Sequence, residues 1–293
     1  MIISASRRTD IPAFYAAWFM NRVAAGYCEV PNPFNPAQIS RVSLKPEDVE
    51  VIVFWTRHPL PLLPHLPELD RQGYRYYFQY TLLDNPSQLD PGMEAVRDRL
   101  DAFRELSDRI GPDRVIWRYD PIVLTAATGL SFHRATYSRL ARELAGRTHR
   151  CVISRVKVYR KVLERLRELA DDRFASPETA HPEMPELLRY IAETANENGM
   201  DVVSCASEED LRPYGILPGK CVDDEYIRRI FGLRVTSRKD PSQRTACGCV
   251  VSRDIGMYDT CPRGCRYCYA TNNAGRAIAN HRRHDPAAPS LLG

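Results

Sequence analysis

The chain has 293 residues, 44% of them hydrophobic, and a formal net charge of +4 from 41 basic and 37 acidic side chains. That length suits one α/β domain of barrel size or two smaller ones, and the near-balanced charge announces neither a nucleic-acid nor a membrane partner. No stretch approaches the roughly 20 apolar residues that cross a bilayer, and MIISASRRTD lacks the apolar core of a secretory signal, so a cytoplasmic location without membrane contact is expected.

Short β-branched and aromatic runs alternate with helical patterns along the chain. IISAS (2–6) is a predicted strand, followed by an apolar helix around Phe14–Val23. VEVIVFWT (49–56) and YRYYFQYT (74–81) are the next strands. Val96, Leu100, Phe103, Leu106 and Ile110 share one helical face, and Gly111-Pro112 ends that helix. RVIWRYDP (114–121) is a strand, 132–146 a helix, CVISRVKV (151–158) a strand and KVLERLRELA the helix after it. A helix near 185–198 stops at Gly199, DVVSC (201–205) follows, and CVVSRD (249–254) is the last predicted strand. The polar stretches 171–184 and 235–247 are expected as loops.

Repeated strand–helix alternation predicts parallel strands in βαβ units. The expected fold class is α/β, a full or partial TIM-type (β/α) barrel, with an open doubly wound sheet as the alternative. Residues 1–204 would supply the β/α units, and a Cys-rich segment, 205–293, would complete the same domain. Barrels carry their chemistry at the C-terminal ends of strands. Polar residues stand where the apolar runs end: Ser4 to Asp10, Thr56 to His58, Gln79 to Thr81, Arg118 to Asp120, Arg155 and Lys157. Arg118, Arg155 and Lys157 are candidate holders of a carboxylate or phosphate, with ion pairs at a barrel rim as the alternative.

Seven of the nine cysteines lie in the last ninety residues, and in a reducing compartment that points to metal or redox work rather than disulfides. CPRGCRYCYA (261–270) places Cys261, Cys265 and Cys268 in a C-x3-C-x2-C spacing. Three thiolates suit three irons of a [4Fe–4S] cube and leave the fourth iron open. The alternative is a zinc ribbon in which Cys247 and Cys249 join two of these three. Cys205, Cys221, Cys247 and Cys249 make a second group of four, enough to close a site. Cys28 and Cys151 have no partner pattern and read as core thiols; Cys151 is also a candidate hydrogen-atom donor near a barrel mouth.

CPRGCRYCYA resembles the cluster loop of radical S-adenosylmethionine (SAM) enzymes, above all the C-x-x-G-C-x-Y-C-Y-A form of the spore photoproduct lyase and DNA-repair-photolyase-like branch. There the motif follows the first barrel strand; here it stands near the end. RTDIPAFY (8–15) resembles the T-D-P-Y segment of that branch. VIVFWTRHPLPLLPHLPEL (51–69) resembles its strand ending in T-K-S, and 80–123 its next strand, helix and strand. The order agrees if the first strand and its cluster loop are moved to the C-terminus, which a closed or nearly closed barrel permits because its first and last strands are neighbours. The whole chain also looks like an uncharacterised bacterial family of permuted radical-SAM-like proteins.

The resemblance implies cluster ligation by Cys261, Cys265 and Cys268, Tyr267 beside the adenine of SAM, and Gly264 at a tight turn around the cluster. The G-G-E stretch that holds the methionine amino group in many relatives is missing; Asp10, with Arg8 and Thr9, is the expected substitute, Asp10 also as a catalytic group, and Thr56 completes the expected cofactor set. By resemblance to enzymes with auxiliary clusters, Cys205, Cys221, Cys247 and Cys249 would hold a second [4Fe–4S] cluster, with zinc or plain buried thiols as alternatives. The implied activity is reductive cleavage of SAM to a 5′-deoxyadenosyl radical that abstracts hydrogen from a substrate, fed by a low-potential donor such as flavodoxin or ferredoxin. The alternatives are a zinc- or iron–sulfur-stabilised binding protein without SAM chemistry, and nucleic-acid lesion repair by the same radical chemistry.

Overall fold

A computed structural model describes residues 1–169, 172–174 and 181–293, so the loop expected over 171–184 falls partly outside the described residues. The strands are β1 (Ile2–Ala5), β2 (Tyr27–Asn32), β3 (Asn35–Ser43), β4 (Val51–Thr56), β5 (Tyr76–Thr81), β6 (Val115–Ile122), β7 (Arg150–Arg155), β8 (Asp201–Cys205), β9 (Leu217–Gly219) and β10 (Arg253–Asp254). The helices are α1 (Ile11–Phe14), α2 (Ala16–Ala25), α3 (Leu66–Arg71), α4 (Val96–Ile110), α5 (Leu130–Glu143), α6 (Arg160–Arg167), α7 (Met184–Glu197), α8 (Asp224–Phe231) and α9 (Ala274–Arg282).

Eight strands form one sheet in the order β10-β1-β4-β5-β6-β7-β8-β9, every neighbouring pair parallel. The order never reverses partway, as it does in a doubly wound sheet. β10 and β9 are the two edges, and both come from residues beyond 204. The last strand in the chain therefore lies beside the first.

Parallel sheets need both faces covered, and alternation of side chains assigns the two faces. Ile3 and Ala5, Ile52 and Phe54, Tyr76, Phe78 and Tyr80, Trp117 and Tyr119, Cys151 and Ile153 share one core with residues of α2, α4, α5 and α7. Trp117 stacks on Tyr137 of α5 with ring centroids 4.9 Å apart. Ile2, Val51, Val53, Tyr77, Ile116, Val152 and Val203 face the other way, against Tyr226 and Ile227 of α8 and against Cys221, Cys247 and Cys249. The second face is thus closed by the Cys-rich segment rather than by crossover helices.

Helix α4 forms over the expected residues, burying Leu100, Phe103, Leu106 and Ile110 and ending at Gly111, whose φ is +88°. The β2–β3 hairpin escapes periodicity because almost all of β3 is exposed; its edge is held from outside, where Glu29 N–H donates to Pro289 O at 2.8 Å. The strand expected over 249–254 shrinks to Arg253–Asp254. The reason is tertiary: Val250 makes an antiparallel bridge with Lys239, Asp240 N–H donates to Cys249 O at 2.9 Å and Val251 N–H to Arg238 O at 2.9 Å, so 249–251 pair with a loop instead of the sheet. Among the described residues, no helix is long and apolar enough to cross a membrane.

Candidate functional site

The C-terminal ends of β1, β4 and β10 converge on the 255–273 loop. Asp254, at the end of β10, accepts from Ser4 Oγ at 2.6 Å, Ser6 Oγ at 2.8 Å, Arg7 N–H at 2.8 Å, Arg8 Nε at 3.2 Å and Gly256 N–H at 3.0 Å. Burial would push its carboxyl up, but Arg8, Ser4 and Arg7 together hold it below the ordinary carboxylate range. The loop is tied further by Thr9 Oγ1 to Met257 O at 2.9 Å and by Tyr15 OH to Thr260 O at 2.6 Å. Gly256 is required by close approach: a Cβ there would stand 2.6 Å from Ser6 Cβ, 2.9 Å from Thr9 Oγ1, and nearer still to Ser6 Oγ. Gly256→Ala is expected to destabilise the protein by about 1–3 kcal/mol through overpacking, read as a lower urea midpoint at unchanged slope.

The loop brings Cys261, Cys265 and Cys268 within electrostatic reach of one another. Two of the three sulfurs face a donor, and Cys261 packs beside Asp10. Cys265 Sγ accepts from Arg57 Nη1 at 3.0 Å, and Cys268 Sγ from Thr271 Oγ1 at 3.6 Å. Gly264 takes the left-handed conformation, φ +77°, that turns the loop. Burial pushes the Cys261 thiol up to about 12 and Cys265 well above its ordinary value, so without a metal both keep their protons at neutral pH. Among the described residues, no three Cys, His, Asp or Glu side chains surround a common point in metal-holding geometry. The donor set nonetheless fits a thiophilic centre: three soft thiols, two of them with an N–H or O–H group already aimed at the sulfur.

Behind the loop lies a buried polar network that the sequence does not announce. Arg57 grips Asp90 with both ends of its fork, at 2.5 and 3.1 Å, while its Nη1 reaches Cys265. Tyr267 OH donates to Asp90, 2.7 Å from both oxygens, and Asn85 Nδ2 donates to it at 3.0 Å. Burial would raise the Asp90 carboxyl; Arg57, Tyr267 and Asn85 more than offset this and lower it. Arg263, in the same loop, pairs with Glu94 at 2.8 Å, and Arg165 of α6 donates to the carbonyls of Cys265 and Cys268. Tyr267 and Asp90 are 177 residues apart, and only the fold joins them.

Several expected cofactor residues have structural partners instead. Asp10 caps α1, accepting from Ala13 N–H at 3.2 Å, and accepts from Arg57 N–H at 2.9 Å; burial raises its carboxyl. Arg8 is held by Asp254, Thr9 by the 257–260 turn, and Thr56 Oγ1 accepts from His58 N–H at 2.9 Å. All of these border the loop, as does Tyr267. Arg155 and Lys157 do not: they pair with Glu209 and Glu208 on the surface. Cys151, the candidate hydrogen-atom donor, sits fully buried on the helix-covered face against Tyr137, because neighbouring Val152 takes the other face. Its thiol is pushed up to about 12 by burial, which is the state of a packed core residue.

Arg118 belongs to the second thiol group. Cys205, Cys221, Cys247 and Cys249 meet on the face of the sheet that α8 covers, opposite α2, α4, α5 and α7. Cys205 Sγ is 3.3 Å from Cys221 Sγ, and Arg118 Nη1 is 2.9 Å from Cys221 Sγ. Arg118 is itself paired with Asp120 and donates to Gln79 Oε1 at 3.2 Å. Between the two thiol groups stand Arg7 and Tyr269, whose hydroxyl donates to Arg7 O at 2.7 Å.

Fold and site together define a parallel α/β protein with two cysteine groups, one in the loop at the C-terminal strand ends and one on the face of the sheet that α8 covers. Residues 2–270 match the family described as Domain of unknown function (DUF1848), and the chain belongs to it. No curated protein matches the chain. Among solved structures, a candidate alpha-L-fucosidase from Bacteroides thetaiotaomicron is 11% identical over 82% of this chain and 83% of that one, at a TM-score of 0.27; so slight a likeness carries no argument.

Proposed function

We propose that the protein is a radical SAM enzyme built on a circularly permuted (β/α) barrel, with Cys261, Cys265 and Cys268 holding a [4Fe–4S] cluster. The observation that carries this is the three-thiol loop itself: Cys265 and Cys268 Sγ each face a hydrogen-bond donor, and the loop hangs at the C-terminal edge of a parallel sheet whose last strand lies beside its first. When bound, such a cluster supplies one low-potential electron that splits a C–S bond of SAM into methionine and a 5′-deoxyadenosyl radical, which takes a hydrogen atom from the substrate.

The chain's own residues do the positioning. Arg57 places positive charge on Cys265 and so offsets the negative charge of a thiolate centre. Asp90 anchors Tyr267, which fixes the ring beside the third cysteine. Asp10 packs beside Cys261 and its carboxyl accepts from Arg57 N–H just after β4, so it braces the loop against that strand. The substrate remains open, and the electron donor would be a flavodoxin- or ferredoxin-like protein.

Anaerobic reconstitution with iron and sulfide tests this. The expected result is about four loop-bound irons per chain and 5′-deoxyadenosine formed from SAM under dithionite. A chain that binds no iron at the loop, or that binds it and leaves SAM intact, overturns the proposal; the first outcome with zinc bound instead favours a metal-stabilised binding protein. Salt-dependent binding of oligonucleotides by the active enzyme would direct the substrate search toward nucleic-acid lesions.

A further inference from the structure

We infer that Cys205, Cys221, Cys247 and Cys249 form a closed tetrathiolate site for one zinc ion, which fastens the Cys-rich segment to the face of the sheet that α8 covers. The four residues come from the end of β8, the turn after β9 and the Cys-x-Cys loop. Among the described residues Cys205 Sγ lies 3.3 Å from Cys221 Sγ, Cys221 N–H donates to Cys249 Sγ and Cys247 is buried in the same cluster, but the four sulfurs do not surround one point. Closing on an ion requires them to draw together as the thiol protons leave to solvent.

Three observations favour a single ion over an iron–sulfur cube. The first is spacing. A tetrahedral ion with Zn–S bonds of about 2.3 Å sets its sulfurs about 3.8 Å apart, and Cys205 and Cys221 stand 3.3 Å apart. A cube would have to part this pair widely enough to admit four irons and four sulfides.

The second is the backbone. Cys249 Sγ accepts from Cys221 N–H at 3.2 Å and from Val222 N–H at 3.4 Å. Amides thus already face this sulfur, which suits a thiolate holding an ion. The surroundings also match the charge. A zinc tetrathiolate carries two negative charges, and the Arg118 and Arg7 guanidinium groups both face these sulfurs.

The third is need. Residues 232–252 contain no helix or strand and only one isolated bridge, yet Cys247, Cys249 and Val250 from this region are buried against β1, β4, β5 and β6. Short irregular segments with few apolar side chains gain their folding energy from a metal cross-link.

The site is independent of the loop cluster, and the test keeps them apart. The full chain is purified in air without reconstitution, and zinc, iron and sulfide are measured. Wild type and a Cys261→Ser/Cys265→Ser/Cys268→Ser variant should both hold about one zinc per chain, and Cys247→Ser/Cys249→Ser should lose at least nine-tenths of it. Because that variant risks unfolding, a thiol-specific mercurial is also titrated into folded wild type with a chromogenic chelator present. Zinc should appear only as tetrad thiols are consumed, and cobalt(II) put in its place should show the intense visible bands of tetrahedral thiolate coordination. Iron and sulfide bound to the loop-less triple variant after anaerobic reconstitution would overturn the inference. So would a metal-free chain, including one with Cys205 and Cys221 joined as a disulfide.

Discussion

Arg57→Met is expected to lower stability by about 3–5 kcal/mol, because it strands a carboxylate that only Arg57 neutralises in the buried network. The Asp90 side chain is 3% exposed and the Arg57 side chain 11%, so water cannot take over. Thermal unfolding should fall by roughly 10 °C. The effect should depend on pH in a defined direction. The Asp90 carboxyl is lowered in the fold, so its contribution is fully present above the ordinary aspartate value of about 3.9 and is lost as pH falls through the lower folded value. The gap between wild type and Arg57→Met should therefore be widest above about pH 4 and narrow below it. A gap that stayed constant down to strong acid would mean that Asp90 is not the group stranded.

Cys265→Ala separates chemistry from folding. It removes one sulfur from the loop and leaves the Arg57–Asp90 pair whole, so the stability cost should be about 1 kcal/mol. Iron bound at the loop should drop from about four per chain to near zero, and SAM cleavage should vanish with it. Full retention of iron and SAM cleavage would remove Cys265 from the ligand set. Arg57→Met and Cys265→Ala together tell a loss of the loop's support from a loss of its function.

Much of the scaffold was legible in the sequence. The apolar stripe of α4 and the glycine after it place that helix because an amphipathic period of 3.6 residues is a local property. The alternation of strands and helices foretells a parallel sheet because parallel strands need crossovers. The C-x3-C-x2-C spacing marks a thiol loop for the same local reason. Strand β3 left no such trace, since almost all of it is exposed and its pairing partner is β2, which is itself held by residues near 289. The end of the chain misled in the opposite way: CVVSRD has the composition of a strand, but a neighbouring loop captures its first half.

Side-chain facing explains where several expected site residues stand. A strand's period of two says that Cys151 and Val152 point to opposite faces; it does not say which face α2, α4, α5 and α7 cover. Arg118 lies at a strand end as a cofactor residue would, and its partner is Cys221, on the face that α8 covers. Asp90 lay in an unremarkable loop, and nothing local distinguishes a carboxylate that will meet an arginine and a tyrosine from one left in water.

By itself the sequence determined most of the strands and helices, their order and the positions of the thiols along the chain, because these follow from neighbouring residues. Only the tertiary structure decided which thiols meet, which face they share and which cations stand against them. Those outcomes depend on how distant segments are folded back on the sheet, and the free energy that selects that arrangement is summed over the whole chain rather than written in any part of it.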